Sequence, residues 1–139
     1  MNIAIRYYTR SGNTQKLAEA IGEKLALPAL TVAAPLEEKV DLLLLGCSYY
    51  AFDMDAQVKN FLRENRDKIG CIACFGTSAM MQSMQKPMKK VTDALGLTLL
   101  QEEFHCRGSF GFAHRGRPDA NDLAAVQAFA AALSEKYKG

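Results

Sequence analysis

No stretch of this sequence stays apolar for the roughly 20 consecutive positions that a membrane-spanning helix requires, so no membrane span is expected. The opening residues MNIAIRYYTR mix charge and hydroxyls from the start and lack the continuous apolar core of a secretory leader. A cytoplasmic location is the expectation. Charge of one sign is also scarce: 17 Lys and Arg against 15 Asp and Glu leave a net charge of +2, with the cations spread along the chain. That balance gives no electrostatic footprint for a nucleic acid, and none is expected as a partner. Cysteine is limited to Cys47, Cys71, Cys74 and Cys106, each in or beside an apolar run. A domain of this length buries about two-thirds of the surface its unfolded chain exposes, enough for a core without staples. The thiols are therefore expected to be unpaired, as in a reducing compartment.

What is present is an alternation of two periodicities. Residues 2 to 8 (NIAIRYY) are β-branched and aromatic and predict a strand, followed at once by a cluster of hydroxyls and a glycine. Leu17, Ile21 and Leu25, with Ala18 beside them, recur at helical spacing and stop before Pro28, predicting a helix over about 13–26. A short strand is expected at 29–33. The run DLLLLGC at 41–47 is apolar without alternation, as in a strand covered on both faces. Asp55 is a candidate cap for a helix bearing Val58, Phe61 and Leu62, and Gly70 is expected to introduce another buried strand, CIACFG, at 71–76. Met84, Met88, Val91 and Leu95 form a further stripe closed by Gly96, with Pro87 in its first turn or at a kink. A last strand is expected at 97–104. Leu123, Val126, Ala130, Leu133 and Tyr137 then mark a closing helix, with Asp119 or Asn121 as its cap.

Five strands alternating with four helices predict a parallel sheet with helices on both faces. Ligands of such sheets bind beyond the carboxyl ends of the strands, so the segments after Tyr8, Gly46 and Gly76 are the ones to search. The first is Thr9-Arg10-Ser11-Gly12-Asn13-Thr14, three hydroxyls around one glycine at the start of a helix. Helix N-termini offer unpaired amides and a positive dipole end, which suits a phosphate as well as an ordinary cap. The segment lacks the second glycine and lysine of a triphosphate loop and the three glycines of a dinucleotide loop. It has no cysteine to attack a phosphate ester. Tyr8 and Cys47 occupy the strand ends where a phospho-acceptor site needs carboxylates.

The segment resembles the phosphate loop of the flavodoxin family, usually written [ST]-x-T-G-x-T, with Ser11 in place of the middle threonine. The element order is similar over nearly the whole chain. The resemblance implies one domain over 1–139, a three-layer flavodoxin-like α/β sandwich with strand order 2-1-3-4-5, and flavin mononucleotide (FMN) as cofactor. It also implies electron transfer between redox partner proteins, a reductase and an acceptor, without a catalytic side chain, since the flavin carries the redox chemistry. Quinone or porphyrinogen reduction on the same fold is an alternative, as is a flavin-free interaction module.

By the same resemblance, Thr9, Arg10, Ser11, Gly12, Asn13 and Thr14 hold the phosphate. The ring lies between Ser48-Tyr49-Tyr50-Ala51-Phe52, where an aromatic can stack on it, and Thr77-Ser78-Ala79, whose amides reach its polar edge. Met80, Met81 and Met84 are cover or gap filler. Arg107, Arg115 and Arg117, in the loop Cys106 to Pro118, form a solvated cationic segment or attract an anion. With only Asp53 and Asp55 near one ring loop, the flavin potential is expected to be less negative than in strongly acidic flavodoxins. Cys71 and Cys74 fall inside a strand, where positions three apart face opposite ways, so they read as packing.

Overall fold

The computed structural model describes residues 2–9, 12–47, 56–77, 85–106 and 118–137. Strands and helices alternate along them: β1 (Ile3–Tyr7), α1 (Asn13–Leu25), β2 (Ala29–Thr31), β3 (Val40–Gly46), α2 (Ala56–Glu64), β4 (Ile69–Thr77), α3 (Gln85–Leu95), β5 (Thr98–Cys106) and α4 (Ala120–Lys136). A 3-10 turn at Arg66–Lys68 joins α2 to β4. The strands form one sheet in the order β2-β1-β3-β4-β5, and every pairing is parallel. The α/β sandwich expected from the alternation is therefore the fold.

The unalternating apolar run of β3 has its explanation in two cores. Leu42 and Leu44 pack with Ile5, Leu17, Ile21, Phe75, Val126 and Leu133 on the side covered by α1 and α4. Leu43 and Leu45 pack with Val58, Phe61, Leu62 and Met88 under α2 and α3. Each such leucine, withdrawn from water on its own side of the sheet, contributes roughly 1.5–3 kcal/mol. Cys74 belongs to the α2/α3 core and Cys71 packs against the other, so the two thiols do point opposite ways. All four cysteines are without disulfides.

Several strand ends differ from expectation by one or two residues. β2 stops at Thr31, β3 begins at Val40, and β5 runs on to Cys106. β4 begins at Ile69 and so contains Gly70. A Cβ there would stand 2.7 Å from the Asp41 carbonyl oxygen, so Gly70 permits close strand contact and does not break the chain ahead of the strand. Pro87 does sit in the first turn of α3, and Gly96 ends that helix at φ +73°. Asp119 is the cap of α4: its Oδ1 accepts from the Asp122 amide at 3.0 Å, and Asp122 Oδ2 accepts from the Asp119 amide at 2.8 Å.

Arg6 is buried on β1 and ties the chain after β2 to the sheet. Its Nε donates to Ala34 O at 2.9 Å, Nη1 to Ile5 O at 2.9 Å and Nη2 to Pro35 O at 3.2 Å. Burial lowers the guanidinium pKa and nearby Glu37 opposes that shift. Because removing the donors leaves carbonyls short of partners, Arg6→Met is expected to cost about 2 kcal/mol. Urea unfolding should show a lower midpoint at unchanged slope, and an unchanged midpoint would show these bonds to be dispensable.

Candidate functional site

The sheet reverses its direction of growth between β1 and β3: α1 leads outward to β2, whereas everything after β3 is added on the other flank. Ligands of open α/β sheets bind beyond the carboxyl ends of the strands at such a reversal, so the ends of β1 and β3 frame the candidate site at the carboxyl rim. One level below the rim, Thr31, Tyr7, Gly46, Phe75 and Phe104 lie side by side across the five strands. Tyr8 donates its amide to Gly46 O at 3.0 Å and Cys47 to Phe75 O at 3.1 Å, extending this order by one step.

α1 begins at this rim, a few residues past the end of β1. Gly12 is its N-cap, held at φ +88° and ψ −4°, and it offers no side chain to close over the helix end. A Cβ at Gly12 would meet nothing within 4 Å, so glycine is required there by its backbone angle and not by crowding. The Gly12 amide donates to Thr9 Oγ1 at 2.9 Å, which folds the turn back on itself. The first turn of α1 carries no acidic residue, so nothing in it opposes an anion at the positive end of the dipole. Lys16 N donates to Gly12 O at 3.2 Å as the helix proper starts.

Of the expected site residues, Thr9, Gly12, Asn13, Thr14 and Thr77 lie among the described ones. Asn13 and Thr14 are buried, and Thr14 Oγ1 stands 3.4 Å from Thr77 Oγ1 at the end of β4. The threonine expected at the phosphate and the one expected at the ring thus meet, although 63 positions separate them. The Thr77 hydroxyl faces Thr14 at the start of α1. Gly46 and Phe75 were not anticipated. A Cβ at Gly46 would come within 2.5 Å of the Phe75 ring and 2.9 Å of Thr14 Cγ2, so this glycine lets the start of α1 sit down on the sheet. Its only sequence signal was its place at the end of the apolar run.

Arg10, Ser11, Ser48, Tyr49, Tyr50, Ala51, Phe52, Ser78 and Ala79 lie outside the described residues, as do Asp53, Asp55, Met80, Met81, Met84 and the arginines of 107–117.

On the α2/α3 side, Cys47 is buried just past the end of β3 and Cys74 within β4. Cys74 lies level with Glu103 on β5. Burial pushes the Cys47 thiol up to about 12 from its ordinary 9.0, and the Glu103 carboxylate adds to the shift. Cys74 is pushed well above its ordinary value, by burial first and then by Cys47 and Glu103. Both are packing groups held as thiols, not poised nucleophiles. A pKa raised on folding means that the protonated form is favoured in the native state. The stability due to Cys47 is thus complete below pH 9 and is lost as pH rises through 9 toward about 12. In Cys47→Ala the alkaline decline of stability is expected to be shallower by up to about 1.4 kcal/mol per pH unit over that window. An identical slope in urea unfolding at stepped pH would contradict it.

A flavodoxin from the domain Archaea superimposes on the whole of this chain over its own whole length, with a TM-score of 0.74 at 20% identity. The fold is flavodoxin-like. Oxidised flavodoxin 1 from Bacillus cereus likewise matches over all of both chains, with a TM-score of 0.69 at 17% identity. A flavoprotein in complex with FMN from Lactobacillus acidophilus NCFM matches 75% of this chain and 91% of its own, with a TM-score of 0.62 at 18% identity. No family model and no curated protein sequence matches the chain. At these identities the flavodoxin-like fold is the shared property.

Proposed function

We propose that the chain binds FMN non-covalently at the carboxyl rim of the sheet and carries electrons between redox partner proteins in the cytoplasm. The observation that carries this reading is the start of α1: a glycine N-cap at φ +88° with open space beside it, hydroxyls from Thr9 and Thr14, and no acid in the first turn. Those features suit a dianionic phosphate monoester, for which helix amides and hydroxyl donors are the usual grip.

In this reading Thr9, Arg10, Ser11, Gly12, Asn13 and Thr14 surround the phosphate, while Ser48 to Phe52 and Thr77 to Ala79 flank the ring. The bound flavin supplies the one- and two-electron chemistry. The chain fixes its position, and Thr14, through Thr77, ties the phosphate loop to a ring loop. Protein purified from an overproducing host should be yellow, with flavin absorption bands that are lost when the protein is denatured and filtered. Colourless protein whose melting temperature does not rise with added FMN would favour the flavin-free module instead.

A further inference from the structure

The two helical layers carry opposite charge. Along α2, the 3-10 turn and α3 stand Lys59, Arg63, Arg66, Lys68, Lys86, Lys89 and Lys90 against Glu64, Asp67 and Asp93, a net of +4 from seven cations and three acids. Along α1 and α4 with its cap stand Lys16, Lys24 and Lys136 against Glu19, Glu23, Asp119, Asp122 and Glu135, a net of −2. A chain whose total is +2 thus has one basic face and one acidic face.

Some of the basic layer is spent locally. Lys68 Nζ donates to Leu36 O at 2.8 Å, and Lys89 pairs with Asp93 at 3.4 Å. Arg63, Arg66, Lys86 and Lys90 are exposed. Lys86 is also in the first turn of α3, which holds no acid, although a cation there opposes the helix dipole. Local helix stability therefore does not account for it. Gln85, which opens α3, donates its Nε2 to Leu100 O at 3.2 Å and Gln101 O at 3.1 Å on β5, below the carboxyl rim. The acidic pair Glu37 and Glu38 lies at the far end, where the Leu36 amide is bound to Asn65 Oδ1 beyond the end of α2.

We infer that the α2/α3 face is the docking surface for an acidic protein. The partner's role in electron transfer rests on the reading above; the docking itself does not. A protein surface fits better than a nucleic acid. The exposed positions of these helices bear no aromatic for base stacking, and three carboxylates interrupt the cations. Complementary charge of this kind steers encounter and sets orientation, and salt screens it.

The test uses the full chain without flavin, its FMN affinity being recorded separately on the same preparations, so that failure of docking and failure of flavin binding are told apart. The probes are poly-L-glutamate and a short oligothymidylate, each titrated at low and at physiological ionic strength. Poly-L-glutamate should bind in a salt-sensitive way, more tightly than the oligothymidylate. The double variant Lys86→Glu/Lys90→Glu should weaken it about tenfold, and Lys16→Glu/Lys24→Glu on α1 by less than about twofold. Equal losses in the two variants, tighter binding of the oligothymidylate, or no binding of poly-L-glutamate would overturn the proposal. So would sedimentation showing self-association that the α3 variant abolishes, which would give the face to a second copy of the chain.

Discussion

Gly46→Ala should lower the free energy of unfolding by about 3 kcal/mol, near the upper end for overpacking a core by one methyl group. The new Cβ would stand 2.5 Å from the Phe75 ring and 2.9 Å from Thr14 Cγ2. Neither neighbour can step aside without cost, since Phe75 and Thr14 are fully buried. The strain falls where the last full level of the sheet meets the first turn of α1, so the change is expected to reach beyond stability. Even under conditions where the variant is folded, FMN should bind it more weakly. Urea unfolding gives the first quantity and fluorescence quenching of FMN the second. A stable variant with full affinity would mean that α1 is not seated through Gly46.

Ser11→Asp separates binding from folding in the opposite way. Ser11 precedes Gly12 in the segment proposed to hold the phosphate, and a carboxylate there would set a negative charge against a dianion. Like-charge juxtaposition at a binding surface costs several kcal/mol, so FMN affinity should fall by about 100-fold or more. The first turn of α1 has no acid, and an aspartate near a helix start is favourable to the helix. The melting temperature of the flavin-free variant should therefore match that of the parent within a degree or two, on the order of what a surface substitution gives. Unchanged affinity would remove the phosphate-loop assignment while leaving the fold untouched.

The contrast between these two positions shows what the amino-acid sequence does and does not disclose. The apolar run of β3 announced a strand buried on both faces because a half-exposed strand must alternate, and Leu42 to Leu45 do divide between two cores. Pro87, Gly96 and Asp119 marked helix ends because each has a local mechanism, a fixed φ, a left-handed backbone or a side-chain acceptor. Gly12 was legible for the same reason. Gly46, Phe75 and the Thr14–Thr77 contact were not, since they depend on which residues the strand register sets side by side. Gly70 misled for a related reason: read locally it stands ahead of a strand, whereas it lies within one and allows the close passage of Asp41 on the neighbouring one. Charge showed the same divide. Spread along the chain, the cations looked featureless, and only the sorting of helices onto two sides of the sheet separates a basic layer from an acidic one.

Comparing FMN with riboflavin, which shares the ring and lacks the phosphate, tests the site at its root. Titrated into the flavin-free protein and followed by loss of flavin fluorescence, FMN should bind at least about 100-fold more tightly than riboflavin, a difference of roughly 2.7 kcal/mol contributed by the helix amides and hydroxyls. The same ratio should shrink toward one in Ser11→Asp. Equal affinity for both flavins in the parent protein would contradict the assignment of the α1 N-terminus as a phosphate site.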